Sequence, residues 1–274
     1  MDEQAIPEEI MQSMRRHYGL DQPYHVQFIR YLKGIVTWDF GPSFKYEGRL
    51  VTEIISDGFP VSFTLGIQTI LLAVFGGVSL GTLAALNRGR TLDHFAMLLA
   101  VIGISVPSFI LGSLLQYLLG MKLGWLPIAR WGTFSHTILP TIALSAIPMA
   151  FIARLTRTNV IEVLEQDYIL TAKAKGLSTF QVVTKHVLRN SLLPVVAYLG
   201  TFIATILTGS FIIEKIFGIP GLGGWFVLSI TNRDYTVIMG LTVFYSALLL
   251  LAIFCVDIIS AFLDPRSRNR EVAA

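Results

Sequence analysis

Five stretches of this chain are so long and so apolar that a lipid bilayer is the one solvent that suits all of them: 60–86, 94–119, 136–152, 192–213 and 237–263. A hydrocarbon core about 30 Å thick takes roughly 20 residues of helix, each rising about 1.5 Å, since a helix satisfies its own N–H and C=O groups where water is absent. The third stretch is the weakest, because Pro140 and Pro148 interrupt it. With 53% hydrophobic and 14% charged residues and a mean hydropathy of +0.64, a water-soluble domain would have too little polar surface to cover itself. The expected fold class is therefore all-α and integral to a membrane, with about five spanning helices.

Charge sets the orientation, because loops rich in lysine and arginine stay in the cytoplasm. Arg88 and Arg90 follow the first span, Arg154, Arg157, Lys173, Lys175, Lys185 and Arg189 follow the third, and Arg266, Arg268 and Arg270 lie in the tail. The alternate loops hold only Lys122, Arg130, Lys215 and Arg233. Eleven against four places the loop 154–190 and the tail 265–274 inside. The N-terminal segment 1–58 is then extracytoplasmic, and 59–264 forms the transmembrane domain. That first segment is polar, with nine of the eighteen acidic residues before position 60 and no signal-peptide pattern. Such a segment does not cross a membrane unaided, so the topology implies a further transmembrane helix ahead of it. The basic residues form no stripe interleaved with aromatics, which argues against nucleic acid as a partner.

The segment between Arg154 and Pro194 replaces the apolar pattern with mixed charge. Asp167 suits an N-cap, Tyr168 to Lys175 has helical composition, Lys173 and Lys175 complement the helix dipole, and Gly176 supplies a stop. Ser178 to Gln181 forms a capping box that opens a second helix bearing Val182, Val183 and Val187. A two-turn helix does not stand alone. It either lies on lipid headgroups as an ordinary basic loop or docks a partner, and pattern alone leaves both open.

The residues also carry a resemblance. Asp167-Tyr-Ile-Leu-Thr-Ala-Lys-Ala-Lys-Gly-Leu-Ser178 and Lys185-His-Val-Leu-Arg-Asn-Ser-Leu-Leu-Pro194 resemble the cytoplasmic coupling loop of permease subunits in the dipeptide/oligopeptide (and nickel) ABC importer family. Gly19-Leu-Asp-Gln-Pro23, Asp39-Phe-Gly-Pro-Ser43, Phe217-Gly-Ile-Pro-Gly-Leu-Gly223, Arg233-Asp-Tyr235 and Leu263-Asp-Pro-Arg266 extend the likeness along the chain in order. The resemblance implies a type I importer transmembrane domain in the cytoplasmic membrane of a prokaryote. It also implies a second permease subunit, two cytoplasmic ATP-binding subunits and an extracytoplasmic substrate-binding protein. By position, Asp167, Tyr168, Thr171, Ala172, Lys173, Ala174, Lys175 and Gly176 correspond to the ATPase-coupling segment. The general importer motif has Glu-Ala-Ala before its glycine, whereas Leu170-Thr-Ala172 stands here. Family members normally have six spans, the first ahead of the external segment.

Other motifs are weaker. The glycine run 218–224 is not a phosphate loop, because no Gly-Lys pair occurs in the chain. Hydrolysis of ATP with its Mg is expected on a separate subunit, so this one has no catalytic residues and no cofactor of its own. The glycine run reads as a re-entrant turn near the outer surface. Pro107, Pro140, Pro148 and Pro194 can kink helices and, with Gly221, are candidate gate or structural positions. Asp257 stands out as an ionisable group well inside an apolar run. The five histidines show no ligand spacing, so no metal site is expected, and Trp125, Trp131 and Trp225 read as interfacial anchors. A permease moving dipeptides or oligopeptides inward by alternating access is the expected function. Import of nickel or another metal complex, or ion-coupled secondary transport, are the alternatives. Residues that contact substrate are not identifiable from the sequence.

Overall fold

The computed structural model describes residues 8–207 and 211–263; the expected tail 265–274 lies outside them. Thirteen helices follow in order: α1 (Glu8–Tyr18), α2 (Tyr24–Val36), α3 (Val51–Leu86), α4 (Thr91–Ser105), α5 (Ser108–Leu115, continued by a π-helical segment Gln116–Lys122), α6 (Phe134–Leu164), α7 (Asp167–Ala174), α8 (Thr179–Val182), α9 (Leu188–Ser191), α10 (Leu193–Leu207), α11 (Phe211–Phe217), α12 (Leu222–Asn232) and α13 (Tyr235–Leu263). A second π-helical turn, Val183–Val187, joins α8 to α9. Three of these, α3, α6 and α13, are long and apolar enough to cross a membrane unaided, and two bent pairs bring the total to as many as five.

The prolines behave differently from one another. The span expected at 94–119 is broken at Pro107, where α4 meets α5 at 105°. Val106 is extended, as the residue before a proline prefers. The span expected at 136–152 is instead a continuous helix of 31 residues that passes through both Pro140 and Pro148. Both prolines are buried, and packing against neighbouring helices holds the backbone where each proline removes a donor. Arg154 and Arg157 therefore lie on a helix, and the inner loop begins only at Glu165. α3 likewise starts at Val51 and carries Pro60 within it. Pro194 falls in the first turn of α10, where a missing N–H costs nothing, so it starts a helix and does not kink one.

The centre of the bundle is the contact of α3 with α6. Ala73, Gly77, Gly81 and Ala85 recur every fourth residue on α3 and are buried. A Cβ added at Gly77 would come within 2.7 Å of Ile152, and one at Gly81 would strike the carbonyl oxygen of Ala153. The two backbones thus approach closely, as small residues allow in membranes.

At the opposite end from α7, the segment 37–50 is built into the bundle. Asp234 is fully buried and caps α13, accepting from Val237 N at 3.2 Å and Thr236 Oγ1 at 2.9 Å. The same carboxylate accepts from Ser43 Oγ and, at 3.0 Å, from Phe44 N. Phe40, Val51, Ile54 and Ile55 pack with Leu222, Val237 and Leu241 beneath it. Tyr18 Oη donates to Phe40 O at 2.6 Å. Burial pushes that phenol above its ordinary range, so it stays a donor.

Candidate functional site: a capped helix between the spans

α7 follows α6 after a two-residue break. Its N-cap is Gln166, which makes no side-chain cap bond; Asp167, expected as the cap, is the first helical residue. There it still complements the helix dipole, with Lys173 doing so in the last turn. The helix ends in a Schellman arrangement: Leu177 N donates to Ala172 O at 3.4 Å and Gly176 N to Lys173 O at 3.0 Å. Gly176 has φ +80° and open space around it, so glycine is demanded here by conformation and not by crowding. Ser178 then caps α8, its Oγ accepting from Gln181 N at 3.3 Å while Gln181 Oε1 accepts from Ser178 N at 3.0 Å. That is the expected capping box.

The helix has two faces. Ile169 and Ala172 are buried with Ala85, Val160, Val182 and Val187. Ala172 is therefore turned into the chain, away from the side on which Asp167, Tyr168, Thr171, Lys173, Ala174, Lys175 and Gly176 are exposed. Leu170 is 58% exposed and Phe180, just beyond it, 76%. Leu170 and Phe180 extend the expected set, and an apolar residue within a basic loop was the signal for both. Asn190 Nδ2 donates to Tyr168 Oη at 2.9 Å, tying the helix to the start of the next span.

Charge pairs fasten this region to three spans. Arg157 on α6 donates twice to Asp93 on α4, Nε to Oδ1 at 2.6 Å and Nη2 to Oδ2 at 2.8 Å. Gly89 N donates to the same Asp93 at 2.9 Å. Asp93 is 2% exposed, and a bidentate guanidinium is the partner that such a carboxylate needs. Arg88, at the end of α3, meets Glu165 at 2.6 Å, although both side chains are largely exposed. A single sequence holds no sign that Asp93 and Arg157 meet.

The candidate gate positions are dispersed. Pro107 marks the bend described above, Asp257 is exposed on α13, and Pro148 lines a cavity of about 450 Å³ with Ser108, Leu144, Tyr198, Phe202 and Phe211. Gly221 caps α12 in the turn between α11 and α12, which meet at 101°. Against that turn, from within α11, packs a residue the sequence reading missed. Glu214 is 1% exposed; it accepts from Ser62 Oγ at 2.8 Å and Gly224 N at 3.2 Å, while Ser62 Oγ accepts from Leu222 N at 2.9 Å. A Cβ on Gly221 would fall 2.5 Å from Ser62 Oγ and 2.6 Å from the Glu214 carboxyl carbon. Glu214 lies one position past the span expected to end at 213, where hydropathy carries no sign of burial. Trp131 and Trp225, read as interfacial anchors, pack partly buried against the chain's own clusters, while Trp125 is 72% exposed.

Solved structures share this arrangement. An inward-facing structure of the MetNI methionine ABC transporter matches with a TM-score of 0.64 at 19% identity, over 77% of this chain and 96% of that one. A crystal structure of an amino acid ABC transporter with histidines matches with a TM-score of 0.58 at 15% identity, over 76% and 94%. Broken spans about an α3–α6 centre, with a capped helix between α6 and α10, define the transmembrane domain of a type I importer permease. Residues 77–269 match the model of the binding-protein-dependent transport system inner membrane component family, and the chain belongs to that family. The dipeptide transport system permease protein DppB of Bacillus subtilis (strain 168) is 53% identical over 265 residues, 97% of this chain and 86% of that protein. The oligopeptide transport system permease protein OppB of Escherichia coli (strain K12) is 41% identical over 268 residues, 97% and 88% respectively.

Proposed function

We propose that this chain is a permease subunit of an ATP-driven, binding-protein-dependent importer of dipeptides or short oligopeptides. Similarity to permeases named for dipeptide and oligopeptide transport favours peptides over metal complexes. The subunit pairs with a second permease, receives substrate from an extracytoplasmic binding protein, and leaves ATP and Mg to two cytoplasmic ATP-binding subunits. Segment 1–58 faces outward and the tail inward, as the distribution of basic residues requires.

The observation that carries this reading is the two-faced α7. Ile169 and Ala172 key it into the bundle, while Tyr168, Leu170 and Phe180 remain exposed. An apolar set on the cytoplasmic side suits insertion into a groove of a soluble partner. Closure of the ATPases pushes α7, and Asp93–Arg157 and Arg88–Glu165 pass the displacement to α3, α4 and α6. The spans then exchange inward and outward openings.

The test is the complete transporter in vesicles, with peptide uptake and ATP hydrolysis measured together. Leu170→Asp places a charge on the docking face without disturbing Ile169 or Ala172, and should lower uptake and stimulated hydrolysis together, with weaker co-purification of the ATPase. Gly176→Val forces a β-branched residue to positive φ, at a cost of about 1–2 kcal/mol, and should lower uptake per ATP hydrolysed. Unaltered coupled transport in both variants would refute the coupling role of α7.

A further inference from the structure

The helix α2 has two sides, and the proposed mechanism uses neither. Gln27, Tyr31 and Ile35 are half-buried against the chain, Ile35 beside the cluster around Phe40 and Tyr31 beside Tyr18. Away from them stand Tyr24, Phe28, Leu32 and Val36, exposed by 88, 62, 44 and 86%, with Ile29 next to them at 63%. A spacing of four residues aligns such side chains in one stripe, here about 18 Å long. One nearby cation is held away from it: Arg30 donates to Arg16 O at 3.2 Å and to Gln22 Oε1 at 3.3 Å.

Two further observations place the stripe beside a spanning helix. Trp38, just past the end of α2, packs edge-on against Phe40 and Phe244, with ring centroids 5.4 and 5.8 Å apart. Phe244 lies ten residues beyond Asp234, so Trp38 is held about 15 Å down a spanning helix and not above it. Phe28 and Met239 also line one crevice of about 290 Å³ between α1, α2 and α13, with Met14, Tyr31 and Tyr235. Met239 is 44% and Tyr235 59% exposed, so the stripe continues onto an outward surface of α13.

We propose that the stripe of Tyr24, Phe28, Leu32 and Val36 on α2 is embedded among acyl chains of the leaflet at the N-terminal end of α13, with a lipid tail in the crevice between Phe28 and Met239. The inference needs only that α13 spans a membrane, and is independent of substrate and of coupling.

The test uses the full chain with its co-expressed subunits in vesicles of phosphatidylethanolamine and phosphatidylglycerol. Cys255 is replaced by Ser, and a fluorophore is attached at Phe28→Cys, Leu32→Cys or, as a control, Asp21→Cys. Nitroxides near the headgroup end of lipid tails should quench the first two labels severalfold more than aqueous iodide does, and the order should reverse for Asp21→Cys. Iodide quenching at Phe28→Cys and Leu32→Cys equal to that at Asp21→Cys would overturn the proposal, as would shielding from both quenchers, which would mean that protein covers the stripe. Both substituted side chains are exposed, and gel-filtration elution of each variant establishes that it has folded.

Discussion

Glu214 on α11 has almost no access to solvent, and the groups that satisfy it come from the start of α12 and from Ser62 on α3. Gly221 packs against both, so Gly221→Ala must push the turn off α3. Overpacking of this kind costs about 1–3 kcal/mol, and the melting temperature of the detergent-solubilised complex should fall; an unchanged melting temperature would mean that the turn moves aside freely. Asp93 poses the opposite case, a buried charge with a partner. Arg157→Ala strands that carboxylate and should destabilise by about 3–5 kcal/mol, and adding Asp93→Asn should recover part of the loss in the same melting assay, as expected for residues that act as a pair. Neither cluster was legible in the sequence. Ser62 and Glu214 stand 152 positions apart, Asp93 and Arg157 stand 64 apart, and hydropathy is blind to which ends of two spans meet.

At the level of helices, local chemistry was legible wherever local chemistry decides. The stop at Gly176 and the Ser178–Gln181 capping box follow from backbone geometry within a few residues, and both stand where the sequence places them. The prolines were not legible in that way. Pro107 breaks its span and Pro148 does not, because the outcome depends on the neighbours packed around each. Ser178→Ala removes one cap bond, worth about 0.5–2 kcal/mol, from the short joint between α7 and α8. It should lower peptide uptake per ATP while leaving the amount of assembled complex unchanged, and a matching fall in assembly would show that the cap serves folding alone.

For the molecule as a whole, the all-helical membrane class and the number of apolar stretches were readable from composition and hydropathy. The α3–α6 contact was present in the sequence as Ala73, Gly77, Gly81 and Ala85, but a four-residue spacing of small residues signifies little until a second helix is known to face it. Gly81→Leu should separate the two helices and abolish recovery of folded protein in the membrane fraction, whereas Gly224→Ala, with open space around it, should be recovered normally. The paired charges at the inner end also have a mechanical corollary. With Arg157 gripping the buried Asp93 in a bidentate pair, the ends of α4 and α6 nearest α7 are yoked, and the exposed Arg88–Glu165 pair adds little to that hold. In the proposed stroke the freedom to deform then lies at the far corners, where Pro107 and the turn at Gly221 already interrupt the rods.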